Sequence, residues 1–144
     1  MDPEFWIKKY GTSKWNAWSG CAFESLCLKH IQKIKKALGI SGISTIESGW
    51  RYVPKNANQQ GAQIDLVIDR SDRCINLCEM KYSDSEFVID KSYVEKLRNK
   101  KNVFREQSGT TKTLFTTMVT TYGVKKNVHY LSVVDNQLTI DDLF

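Results

Sequence analysis

The chain has 144 residues, of which 41% are hydrophobic and 26% charged: an ordinary globular composition and about one domain's worth of length. No apolar stretch approaches the roughly 20 residues that a membrane helix needs, and no charged-then-apolar leader is seen, so a soluble protein with one compact core is expected. The net charge of +5 is unevenly spread, with one basic cluster at Lys29, Lys33, Lys35 and Lys36 and another at Lys91, Lys96, Arg98, Lys100, Lys101 and Arg105. Such clusters can meet phosphates or form solvated helix faces.

The opening Met1-Asp2-Pro3-Glu4-Phe5 is what two adjacent cloning sites encode in frame, and residues 1–5 are set aside as a cloning scar. The remainder is then expected to be a piece of a longer protein. Residues 6–19, with Trp6, Trp15 and Trp18, read as a lead-in segment, and residues 20–144 as a single domain. From Gly20 to Leu38, Phe23, Leu26, Cys27, Ile31, Ile34 and Leu38 recur at three- and four-residue spacing before Gly39, which predicts one amphipathic helix.

β-branched and aromatic residues over 43–53, ending at Pro54 and a polar loop, predict a strand. Ala62–Ile68 and Cys74–Tyr82, separated by Asp69-Arg70-Ser71-Asp72-Arg73, predict two strands paired antiparallel. Helical spacing returns over 89–107 and stops at Ser108-Gly109. Lys112–Tyr122 and Asn127–Val134 read as two more strands, and the tail from Gln137 as a short strand and one turn. The order αβββαββ predicts an α/β fold, a mixed sheet flanked by helices.

Charge stands where it is least welcome on the second and third of these strands. Asp65 lies within Ile64-Asp65-Leu66-Val67-Ile68, and Glu79 and Lys81 within Ile75-Asn76-Leu77-Cys78-Glu79-Met80-Lys81. A carboxylate in an apolar strand is costly unless paired, hydrogen-bonded or bound to a metal. Strand alternation puts Glu79 and Lys81 on one face, and a hairpin can bring Asp65 beside them. Two carboxylates suit Mg²⁺, a hard cation that also takes waters and phosphate oxygens. A bound cation polarises a phosphate and acidifies water, and a lysine ammonium can stabilise developing charge. The plainer alternative for Asp65, Glu79 and Lys81 is a cross-strand ion pair.

Asp65, thirteen intervening residues and Glu79-Met80-Lys81 resemble the signature of the PD-(D/E)XK, or restriction-endonuclease-like, nuclease superfamily. Ile64 stands where the motif has Pro, a departure that leaves the ligand positions unchanged. Trp18-Ser19-Gly20-Cys21-Ala22-Phe23-Glu24, Gly61-Ala62-Gln63-Ile64-Asp65-Leu66, Cys78-Glu79-Met80-Lys81-Tyr82-Ser83 and Phe87-Val88-Ile89-Asp90-Lys91 further resemble the nuclease-like C-terminal domain of prokaryotic archaeal-type ATP-binding proteins. That resemblance covers Trp18 to the end. It implies a Mg²⁺-dependent phosphodiester hydrolase, with Mn²⁺ able to substitute, in which Asp65 and Glu79 hold the metal, Lys81 sits at the attacking water and Glu24 is an accessory acid. The partners implied are nucleic acid, DNA ahead of RNA, and an N-terminal ATPase domain. The alternative from a different class is a catalytically silent nuclease-fold module that binds nucleic acid or a protein.

Glu24 has a second reading of nearly equal weight, a first-turn acid favourable to its helix dipole. Gln63, Lys91, Lys96, Arg98, Lys100 and Lys101 are candidate nucleic-acid contacts, each with a solvated-surface alternative. Tyr93 reads first as helix packing. Cys21, Cys27, Cys74 and Cys78 sit in apolar patterns, so core packing and a reduced, cytoplasmic setting are expected for all four. His30, in a helix, and His129, in a strand, lack partner spacing for a metal or a general base.

Overall fold

The computed structural model describes residues 13–144. The expected scar and the first part of the lead-in, through residue 12, lie outside the described residues. Helix α1 spans Ser13–Lys29 and α2 Ile31–Ala37; strands β1 (Thr45–Tyr52), β2 (Ala62–Arg70) and β3 (Cys74–Lys81) follow. Then come α3 (Lys91–Ser108), β4 (Thr113–Thr120), α4 (Val128–Val133), β5 (Asn136–Thr139) and a 3-10 turn over Ile140–Leu143. Among the described residues no helix is long and apolar enough to cross a membrane.

The sheet order is β1-β2-β3-β4-β5. β1–β2 and β2–β3 pair antiparallel, as a short β2–β3 connection requires, whereas β3–β4 and β4–β5 pair parallel. The β3–β4 pair needs a crossover, and α3 supplies it. The protein is therefore a mixed α/β fold with a five-stranded sheet flanked by helices.

Alternation along β3 divides the core. Cys78 and Met80 pack with Phe23, Cys27 and Ile34 of α1 and α2, while Ile75 and Leu77 pack with Phe104 of α3. Alternation fails in β2. Ser48 pairs with Val67 but Trp50 with Ile64, so Gly49 alone opposes both Asp65 and Leu66. The extra residue is a β-bulge, which reverses the face assignment beyond it. Leu66 and Ile68 accordingly face α1, while Ile64, two residues before Leu66, packs with Val67, Trp50 and Phe104 on the α3 side.

Three expectations are corrected. The lead-in is not separate from the first helix: residues 13–19 belong to α1, and the helix expected to run unbroken to Leu38 breaks at His30. Neither Gly nor Pro marks that break; the His30 ring turns back and donates from Nδ1 to the Leu26 carbonyl at 2.8 Å. The strand expected over 127–134 is α4, so His129 is helical. Asn127 decides this locally, because its Oδ1 accepts from Tyr130 N at 2.8 Å as an N-cap while Nδ2 donates to the Ile89 carbonyl at 3.1 Å. Core packing holds for Cys27 and Cys78, but Cys74 is only half-buried and Cys21 is exposed.

Asn127 thus caps α4 and ties it to the segment leading into α3. Asn127→Ala should lower stability by about 1–2 kcal/mol, read as a drop in the urea midpoint at unchanged slope; an unchanged midpoint would remove both roles.

Candidate active site

The β2–β3 ladder runs from Asp69 opposite Ile75 to Leu66 opposite Cys78. At the next position the strands part. Met80 N donates to Asp65 Oδ2 at 2.9 Å instead of to a main-chain oxygen, so the carboxylate of Asp65 takes a place in the ladder. β3 stays paired to β4 through Lys81 opposite Thr120. Asp65 and Glu79 are thereby fixed at the mouth of an opening between strands.

This opening is a cleft of about 860 Å³ whose lining includes Glu24, Gln63, Asp65, Glu79, Lys81 and Lys100. Asp65, Glu79 and Lys81, expected to converge from adjacent strands, do so. Glu24 joins them from α1. It stands well inside a helix that starts at Ser13, so it is no first-turn acid, and the helix-dipole reading is removed. Glu24, Gln63 and Asp65 also line a smaller pocket of about 360 Å³ together with Trp50 and Arg51.

The electrostatics are those of crowded carboxylates. The Glu79 carboxyl is pushed up from 4.5 to about 7, chiefly by burial, with Asp65 adding to the rise and Lys100 opposing it. Glu24 is also raised, by burial and then by Asp65. Lys100 Nζ lies 2.6 Å from Glu79 Oε1. Lys81 Nζ stands 5.6 Å from the centre of the Tyr93 ring, which packs edge to face with Phe87 at 5.2 Å between centroids. Tyr93 is thus the platform beneath Lys81, and burial raises its phenol. The Cys27 thiol is pushed up to about 12 by burial, and Cys78 is also raised, so neither is an activated nucleophile.

The remaining basic candidates separate. Lys100 lines the cleft, but Arg98 and Lys101 line a different pocket of about 170 Å³ against α4. Lys91 and Lys96 are exposed on α3 and do not line the cleft. In the first basic cluster Lys35 is buried, 3.9 Å from Glu47, which takes it out of any phosphate-facing stripe. The pairing of Lys100 with Glu79 was not visible in sequence; a 21-residue separation carries no periodic signal.

Asp65 and Glu79 offer the hard oxygen donors that Mg²⁺ or Mn²⁺ prefers. Among the described residues no group of three or more His, Cys, Asp or Glu is placed to hold a metal ion by itself. A cation here would rest on one or two carboxylates and complete its shell with water and phosphate, the usual manner for Mg²⁺. No family model, curated protein or solved structure matches the chain.

The raised Glu79 carboxyl has a consequence for stability. The unfolded chain releases this proton near 4.5 and the folded chain near 7. Folding therefore gains from the held proton below 4.5, and that gain is lost as pH rises through 7. Glu79→Gln should remove this loss: relative to wild type, the variant should be more stable at pH 8 than at pH 5, measured by urea unfolding. Parallel pH profiles for the two proteins would refute the assignment.

Proposed function

We propose that the chain is a metal-dependent nuclease domain that hydrolyses phosphodiester bonds, on a restriction-endonuclease-like variant of the mixed sheet. The observation that carries the reading is the convergence of Asp65, Glu79, Lys81 and Glu24, from three separate elements, on one cleft. A purely structural ion pair does not account for an opening of this size, nor for a glutamate left buried beside a second carboxylate.

Asp65 and Glu79 would hold Mg²⁺, or Mn²⁺ in its place; when bound, the cation supplies Lewis acidity to the phosphate and acidifies a water. Asp65 keeps one oxygen on Met80 N, which orients the other. Lys81 is held over Tyr93 so that its ammonium stands at the cleft, where it can stabilise negative charge developing on a phosphate. Glu24, with its raised pKa, is suited to take up or return a proton at the same opening. Nucleic acid is the substrate class, DNA ahead of RNA, and an ATPase domain preceding this one is the expected covalent partner.

One observation favours the second reading, a silent module that binds nucleic acid or a protein. Lys100 already places a positive charge on Glu79, as a residue that has replaced a metal would do. Labelled single- and double-stranded DNA and RNA, incubated with Mg²⁺, Mn²⁺ or EDTA, separate the two. The nuclease reading expects metal-dependent products and a rate about 10²-fold lower or less in Lys81→Ala and Asp65→Ala. Equal inertness of folded, metal-supplied wild type and variants would leave the binding module.

A further inference from the structure

Helix α3 meets the cleft along one face. Tyr93 lies beneath Lys81, and Lys100, two helical turns further on, reaches Glu79. The partners in that ion pair differ in freedom. The Glu79 side chain is 5% exposed, on a strand paired to β4 on both sides of its position, whereas the Lys100 side chain is 29% exposed. A lysine carries its charge on a flexible four-carbon stem and can move it toward solvent while the stem stays packed. Glu79 cannot leave, and Lys100 can.

The ammonium at 2.6 Å is thus a cation that Glu79 already possesses. A divalent ion approaching Asp65 and Glu79 meets that charge and must displace it. A nucleic-acid backbone entering the cleft offers the ammonium a replacement partner in a phosphate oxygen. Resting on the proposed function for its divalent ion and its polyanion, we propose that Lys100 is a place-holding cation that makes the two ligands cooperative. It competes with the metal for Glu79 until a phosphate of the nucleic acid takes its ammonium.

Coupling of this kind is reciprocal and measurable without turnover. The experiment is a Mn²⁺ titration followed by the paramagnetic resonance of free Mn²⁺, on the full chain, with and without a phosphorothioate-linked single-stranded oligonucleotide. Asp65→Ala with the oligonucleotide gives the background from Mn²⁺ bound to the oligonucleotide itself. In wild type the oligonucleotide should tighten Mn²⁺ binding by about fivefold or more. Lys100→Met should bind Mn²⁺ about fivefold more tightly than wild type without oligonucleotide and lose most of the coupling, while Lys100→Arg keeps it. A thermal melt checks that each variant is folded, and Lys100→Gln replaces Lys100→Met if the latter is not.

Wild-type Mn²⁺ affinity and wild-type coupling in a folded Lys100→Met would overturn the proposal and leave Lys100 as a bystander ion pair. Absence of site-bound Mn²⁺ in both proteins, with or without oligonucleotide, would overturn this proposal and the metal-dependent reading together. Intact coupling without cleavage would support the place-holding role and remove only the nuclease reading.

Discussion

Ionising Glu79 within a strand whose neighbours are buried costs free energy that water would otherwise return, and each group around that carboxyl either answers the cost or raises it. Burial and Asp65 raise it; Lys100 answers it, incompletely, since the carboxyl is still held near 7. Cys78, beside it in the chain, is a buried thiol that offers no compensating charge. A site that cost the fold nothing would place such a glutamate on the surface. Here the unmet demand points into the cleft, where a cation from outside would find it.

The bulge in β2 explains how two carboxylates come to share that opening. Strict alternation would send Asp65 to the α3 side with Val67, into a layer filled by Ile75, Leu77 and Phe104. With Gly49 opposing two residues, the strand turns at Asp65, and its carboxylate lies in line with the ladder and accepts from Met80 N. A side chain at position 49 would come within 3.8 Å of the Asp65 carbonyl, ordinary contact, so the glycine eases the close approach and is not strictly demanded by it. The same bulge moves Ile64 to the α3 layer, where Trp50 and Phe104 pack edge to face at 5.1 Å. The irregularity that aims the acid is held in place by apolar packing on the other face.

Much of this could be read from the residues in order. The apolar runs Ala62–Ile68 and Cys74–Tyr82 with a short polar connection predict a hairpin, and two-residue alternation then places Glu79 and Lys81 together. What was not legible depended on contacts between distant positions. The segment over 127–134 reads as a strand from Val128, Tyr130, Val133 and Val134, but Asn127 caps a helix over Val128–Val133 instead. The break at His30 coincides with a ring-to-carbonyl hydrogen bond that no spacing rule anticipates. Lys100 read as one of several basic residues on a helix face, and only the packing of α3 against β2 and β4 distinguishes it from Arg98 and Lys101.

The balance of charge in the cleft bears on the proposed metal and the proposed polyanion together. Among the described residues its lining includes the carboxylates of Glu24, Asp65 and Glu79 and the ammonium groups of Lys81 and Lys100. If all are ionised, a phosphate backbone entering alone meets an excess of negative charge, and the basic residues elsewhere on α3 do not line the opening to offset it. A divalent cation would offset two of these negative charges, and a proton retained on Glu79 would offset one. Under the proposed function, the cleft's acidity would make the entry of a nucleic-acid ligand depend on a cation, which is the condition under which the reaction proposed for Asp65, Glu79 and Lys81 can occur.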